Sequence, residues 1–216
     1  MRTIRILTRE NFPLGIRTTI TKNSVKKMPD ILRFFSSIVP NGKFHFEPLF
    51  ECGRCFVTKS SAPGSEDFFE YFIKARRVAK ELSVKLYYSG SELENIHPTF
   101  CGAAGKNFFV TPSGNVTTCL EVSREEDNLA GIFIIGRYNP NFNLFEFDLD
   151  RINQLQMRVV TSMDNCKDCY AKYNCAGDCL AKTVSSSGNL YDSTKNLRCS
   201  INKMVLLDEI KEKLKK

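Results

Sequence analysis

Along the first ninety positions, two periods of apolar residues take turns. Residues 14–21 are rich in β-branched side chains and predict a strand. Ile31, Leu32, Phe34, Phe35 and Ile38 then recur at helical spacing on one broad stripe. Pro29 opens that helix, since a first-turn proline removes no helical hydrogen bond. Asn41-Gly42 is a turn signal, and residues 44–47 form the next strand. Residues 50–65, holding Cys52, Cys55, Pro63 and Gly64, read as a loop. A second helix is expected over 66–82, with Phe69, Phe72, Ile73, Val78, Ala79 and Leu82 available for burial, and a third strand over 84–88. Strands alternating with helices imply parallel βαβ units. So short a run of them does not close a barrel, and a parallel strand is normally covered on both faces and paired at its edges. This half therefore reads as part of something larger, either a stretch of a longer enzyme or a piece completed by a partner.

From about residue 97 the period shortens. Residues 107–111, the turn Pro112-Ser-Gly114 and residues 115–118 read as a hairpin whose returning strand delivers Cys119. Residues 129–135 predict a further apolar strand, and 148–161 a helix with Asp150 near its start. A cysteine-rich knuckle occupies 166–179. A closing helix follows over 201–214, with Met204, Leu207, Ile210 and Leu214 on one stripe. The expected division is 1–95 as an α/β unit and 96–216 as a small α+β, cysteine-rich domain.

Composition narrows the field. The chain has 216 residues, enough for one domain or two small ones, and 42% are apolar, enough for a core. No run of about 18 apolar residues suggests a membrane span, and the first ten residues lack a secretory apolar stretch. A cytoplasmic setting with reduced thiols is expected rather than a disulfide framework, which the odd count of nine cysteines also suits poorly. The net charge is +7. Part of it lies in Lys211, Lys213, Lys215 and Lys216, where positive charge complements the end of a helix dipole. No basic stripe is interleaved with stacking aromatics, so nucleic-acid binding is not expected.

The cysteine spacing carries the chemistry. It runs Cys101-x12-Gly114-x4-Cys119, then Cys166-x2-Cys169-x5-Cys175-x3-Cys179, then Cys199. Packing does not ask for four cysteines within fourteen residues; polynuclear metal ligation does, because each iron–sulfur cage takes up to four thiolates. Ala176 and Gly177 let the backbone approach such a cage and point amides at its sulfurs. Structural zinc favours two short Cys-x2-Cys pairs, and the array has one. A set of buried apolar cysteines is the third reading.

These residues resemble the seven-cysteine SPASM domain, the C-terminal auxiliary-cluster module of radical S-adenosylmethionine peptide and protein maturases. Residues 165–179 (NCKDCYAKYNCAGDC) and 111–119 (TPSGNVTTC) are close to its usual phrasing. Residues 17–21 (RTTIT) through 46–49 (FEPL) resemble the last strands of the radical S-adenosylmethionine partial (β/α) barrel. The resemblance implies that residues 1–95 are a remnant of that barrel and 96–216 the SPASM domain. It departs from the family at one point: the Cys-x3-Cys-x2-Cys triplet that holds the S-adenosylmethionine-cleaving cluster does not occur in these 216 residues. Cys52-Gly-Arg-Cys55 has a different spacing and follows a late strand.

By resemblance, Cys166, Cys169, Cys175 and Cys199 hold one [4Fe–4S] cluster, farther from the barrel, and Cys101, Cys119 and Cys179 hold the nearer one. Either Cys52 or Cys55 supplies a fourth ligand to the nearer cluster, or one of its irons stays open. Cys52 and Cys55 also read as a small redox pair, a metal half-site or ordinary thiols. Arg17 and Glu47, near strand ends facing the barrel mouth, could contact cofactor or substrate in an intact enzyme or form a structural ion pair. His45 and His97 are lone histidines and not expected to be ligands. The implied function is electron transfer and substrate positioning for radical modification of a peptide or protein. It would involve an electron donor or acceptor protein, and a separate N-terminal radical half to bring S-adenosylmethionine. The alternative from another class is a non-enzymatic peptide-binding module stabilised by zinc or a cluster.

Overall fold

In the computed structural model, which describes residues 1–40 and 42–215, the chain divides into two compact units. Residues Met1–Glu92 and those from Ser200 onward form the first, and Leu93–Cys199 the second. Asn41 of the expected Asn41-Gly42 turn lies outside the described residues. Among the described residues, no helix is long and apolar enough to cross a membrane.

The first unit is a parallel sheet with crossover helices. It begins with α1 (Arg2–Arg9), which buries no residue. There follow β1 (Gly15–Ile20), α2 (Met28–Ile38), β2 (Lys43–Pro48), the single turn α3 (Cys55–Thr58), α4 (Ser65–Glu81) and β3 (Lys85–Tyr87). The strands pair in the order β1-β2-β3, both pairs parallel, with Thr19 opposite Glu47 and His45 opposite Tyr87. Both crossovers step the same way across the sheet, and right-handed crossovers then put α2 and α4 on one face. The buried strand residues fit this: Ile16 and Ile20 of β1 alternate with exposed or half-exposed neighbours, and Phe44 and Phe46 of β2 flank the half-exposed His45. The opposite face carries Arg17, Thr19, His45 and Glu47.

Two apolar stripes differ from expectation. In α4 the buried positions are Phe68, Phe72, Ala75, Val78 and Ala79, while Phe69 and Ile73 are half-buried and Leu82 is exposed. The second difference is in α9 (Leu197–Leu214), the closing helix. Its buried residues from Ser200 on are Ile201, Asn202, Val205 and Leu206, whereas Leu207 and Leu214 face out. A buried asparagine misdirects a count of apolar residues. Here it is satisfied, accepting from Tyr88 Oη at 2.6 Å while Ser91 Oγ donates to its carbonyl at 3.0 Å. Arg76 of α4 reaches Asp208, Glu209 and Glu212, and Lys80 pairs with Glu212 at 2.8 Å. These contacts place the residues from Ser200 with the first unit, whereas the sequence had grouped all of 96–216. The boundary itself falls at Glu92.

The second unit is built on an antiparallel sheet, β4 (Phe109–Val110), β5 (Asn115–Thr117), β6 (Ile134–Asn139) and β7 (Leu144–Phe147), paired in that order. The hairpin expected around Pro112-Ser-Gly114 joins β4 to β5. Gly114 has φ +83°, a left-handed value that glycine adopts without strain. The expected strand over 129–135 is instead a helical turn, α5 (Ala130–Phe133), leading into β6. Leu129 O accepts from Phe133 N, and the turn buries Ala130 and Phe133 on one side, so an apolar run too short for periodicity resolved as helix first. Strand β7 was not anticipated; all four of its residues are exposed and none shows an inward alternation.

Helix α6 (Leu149–Met157) is capped by Asp148, whose carboxylate accepts from Arg151 N at 2.9 Å. It stops four residues before the expected end at 161, because Arg158 leaves helical geometry and turns into the interior. The short α7 (Lys172–Cys175) and α8 (Leu180–Ser187) complete the unit. Its core gathers Ala104, Val116, Cys119, Phe133, Leu155 and Leu180, with Cys179 packed against them.

Candidate metal centre

The seven cysteines of the array fall wholly within the second unit. Cys119 follows β5 and is buried. Its N–H donates to Thr117 Oγ1 at 3.2 Å, and the same hydroxyl donates to its carbonyl at 3.1 Å, which fixes the backbone there. Cys179 caps α8, its carbonyl accepting from Thr183 N, and its own N–H donates to Asp178 Oδ1 at 2.7 Å. Both side chains pack in one core. Burial pushes the Cys119 thiol up to about 11. The Glu121 backbone N–H opposes this, and the negative charge of Glu121, Cys179 and Cys101 adds to it. Burial likewise raises Cys179. Cys101, Cys119 and Cys179 are thus one neighbourhood, although 78 residues separate the first from the last.

The knuckle is a chain of tight turns. Cys166 O accepts from Cys169 N at 3.2 Å, Cys169 O accepts from Lys172 N, and α7 then ends at Cys175. Ala176, Gly177 and Asp178 follow with φ +50°, +73° and +60°. Successive left-handed residues, two of them not glycine, store strain of roughly 1–2 kcal/mol each, so surrounding contacts must hold them. Arg158 does so from one side. It is fully buried and donates from Nη1 to Ala176 O at 3.0 Å, from Nη2 to Gly177 O at 2.7 Å and from Nε to Leu190 O at 3.2 Å. A Cβ at Gly177 would meet the Arg158 guanidinium and the Met163 sulfur, so this close approach requires glycine.

Arg198 holds the turn from the other side. Its Nε lies 3.1 and 3.0 Å from the two Asp178 carboxylate oxygens, and Asn196 Nδ2 donates to the same carboxylate at 3.3 Å. Both members of the pair are buried, with side-chain exposures of 4% and 0%. Cys199 directly follows Arg198, so this ion pair clamps its segment onto the Cys175–Cys179 turn. Cys166 packs with Val160 and Met163, and Cys166, Cys175 and Cys179 all lie close enough for their charge to act on Arg158.

Among the described residues, no three or more His, Cys, Asp or Glu side chains stand ready around a single metal ion. The cysteines are neighbours through shared partners, not ligands already set about a point. The donor set nonetheless fits an iron–sulfur group: soft sulfur donors, with Cys119 and Cys166 buried and Cys101 exposed, and the buried Arg158 guanidinium close enough to offset their charge. Thr183, one turn along α8 from Cys179, is fully buried, and its hydroxyl has no hydrogen-bond partner among the described residues. A cluster sulfur is an acceptor such a donor could serve. Without one, the orphaned hydroxyl costs roughly 1–3 kcal/mol. Thr183→Val is therefore expected to raise the stability of the metal-free chain by about 1 kcal/mol in a urea melt; a loss of similar size would show the hydroxyl already satisfied.

The remaining candidates lie in the first unit. Cys52 is exposed, and the Cys55 thiol, half-buried at the start of α3, points to Phe50 O at 3.9 Å. Glu47 is buried and accepts from Ser89 N at 2.9 Å, with Arg17 3.9 Å away and largely exposed. The His45 ring stacks on Tyr87 at 4.9 Å. His97 belongs to the second unit, where its N–H donates to Tyr173 O. Arg158, Asp178, Thr183, Asn196 and Arg198 were not singled out from the sequence. The usable signal for two of them was a charge directly preceding a cysteine of the array, Asp178 before Cys179 and Arg198 before Cys199. No protein-family model matches the chain, nor does any curated protein.

Proposed function

We propose that this chain is the C-terminal portion of a radical S-adenosylmethionine maturase of the SPASM type, binding two auxiliary [4Fe–4S] clusters. Cys166, Cys169, Cys175 and Cys199 would hold one cluster, and Cys101, Cys119 and Cys179 the other. The observation that carries the reading is the gathering of sequence-distant cysteines about one strained turn: Cys179 shares a core with Cys119, and Cys199 is clamped to the same turn through Arg198 and Asp178. When bound, such clusters supply one-electron transfer at potentials set by hydrogen bonds and solvent access. The residues around them bury Cys119 and Cys166, hold the left-handed turn and offset charge.

The first unit supports a partial barrel. A parallel sheet is normally covered on both faces, yet here one face holds the apolar strand residues and the other holds Arg17, His45 and Glu47. On the barrel reading that polar face is the interior, where a peptide or protein substrate and S-adenosylmethionine would lie in an intact enzyme. Glu47, buried and hydrogen-bonded, serves as the ordered acceptor there. An electron donor or acceptor protein would complete the cycle.

Anaerobic reconstitution followed by iron, sulfide and zinc analysis tests the proposal. About eight irons and eight sulfides per chain are expected. One or two zincs and no iron would favour a zinc-stabilised peptide-binding module instead. Cys52→Ala is expected to leave the iron content unchanged; a drop would make Cys52 the fourth ligand of the cluster held by Cys101, Cys119 and Cys179. Adding a separate radical half in trans should couple S-adenosylmethionine cleavage to peptide modification.

A further inference from the structure

Arg158 is the largest fully buried side chain among the described residues. All three of its hydrogen bonds go to backbone carbonyls, and among the described residues it makes no ion pair with a carboxylate. A buried cation without a matched anion is strongly disfavoured. Burial does pull its pKa down, and the groups working against burial are, in order, Cys166, Asp178, Cys175 and Cys179. The Asp178 charge is already engaged by Arg198. The other three of these groups are cysteine sulfurs. Cys166 and Cys175 belong to one proposed ligand set and Cys179 to the other.

We propose that Arg158 is a fixed positive charge shared by the two clusters, raising the reduction potential of both. The inference rests on the two-cluster reading above. The three thiolates of one set, like the four of the other, outweigh the charge of an oxidised iron–sulfur core, so each loaded site is anionic and becomes more so on reduction. A guanidinium held in a low-dielectric interior favours the reduced, more negative state. Its fork fixes it in place by binding Ala176 O and Gly177 O, and the negative charge of the loaded sites beside it favours the charged form of a cation held there. Arg158 is thus a positioning and charge-compensating residue rather than a ligand.

A purely structural role, holding the strained turn through its carbonyls, makes a different forecast. Arg158→Gln keeps amide donors for those carbonyls and removes the charge, whereas Arg158→Lys keeps the charge and loses the fork. The full chain is reconstituted anaerobically, its iron is counted, and midpoint potentials are read by redox titration followed by electron paramagnetic resonance. Arg158→Gln is expected to shift the one-electron reduction equilibrium of each cluster at least tenfold toward the oxidised form, about 59 mV. Arg158→Lys should stay within threefold of wild type. If Arg158→Gln takes up no iron while Arg158→Lys loads fully, the charge requirement is supported in a stronger form. Wild-type potentials in a fully loaded Arg158→Gln overturn the proposal, as does loss of iron in both variants, which would leave only the structural role. A wild-type chain that takes up no iron overturns the two-cluster reading itself, and the inference with it.

Discussion

Replacing Cys175 or Cys199 with alanine is expected to cut reconstituted iron from about eight to about four atoms per chain, with sulfide falling in step. The two cysteines are 24 residues apart and lie on different helices, α7 and α9. Zinc knuckles or buried apolar thiols give no reason for both substitutions to remove the same four irons. Shared ligation does. Cys175 ends α7 just before the left-handed turn, and Cys199 follows Arg198, whose side chain grips Asp178 in that turn. In the other set, Cys119 and Cys179 keep their shared core packing in both variants, and the proposed cluster there should remain. Because ligation is coupled to folding in small metal domains, the first turn of α9 should also lose protection in amide hydrogen exchange. Iron that stays near eight in either variant would remove that residue from the ligand set.

The order of strands and helices in the first unit was legible because its signals are local. β-branched runs, a first-turn proline and apolar residues at helical spacing each act within a few positions. What the sequence hid was anything settled by tertiary partners. Asn202 lies in the buried face of α9 because Tyr88 and Ser91 meet it there, so counting apolar residues pointed to Leu207 and Leu214, which are exposed. The turn α3 buries nothing, and β7 shows no alternation, so neither left a period to detect. Residues 129–135 contain a helical turn followed by a strand, and a continuous apolar run cannot distinguish the two.

The candidate site divides along the same line. Cysteine spacing is a pattern in the chain, and it named the seven thiols. The residues that organise them are ordinary arginines, an aspartate and a threonine, whose meaning appears only with their burial. A run of three left-handed residues could be suspected from Gly177 alone, yet Ala176 and Asp178 carry no such signal, because their conformation is imposed by Arg158 and Arg198 from outside the knuckle.

Asp178→Ala is expected to cost about 3–5 kcal/mol of stability. The carboxylate is fully buried and accepts from Arg198 Nε on both oxygens, from Asn196 Nδ2 and from Cys179 N. Its removal takes the matched anion from a guanidinium that is itself only 4% exposed. The desolvation penalty for burying that charge stays while its compensation goes, which is why breaking one half of a buried pair is worse than replacing both. Alanine at φ +60° adds about 1 kcal/mol of backbone strain, whereas asparagine tolerates the left-handed region. Asp178→Asn should therefore lose less than Asp178→Ala, retaining an acceptor for Cys179 N but not the charge. Urea melts of the metal-free chain give the ranking. Alkylation of Cys199 should also quicken in Asp178→Ala, since that segment loses its anchor to the turn. A loss under 1 kcal/mol with unchanged alkylation would mean that something other than Asp178 holds Cys199 against the knuckle.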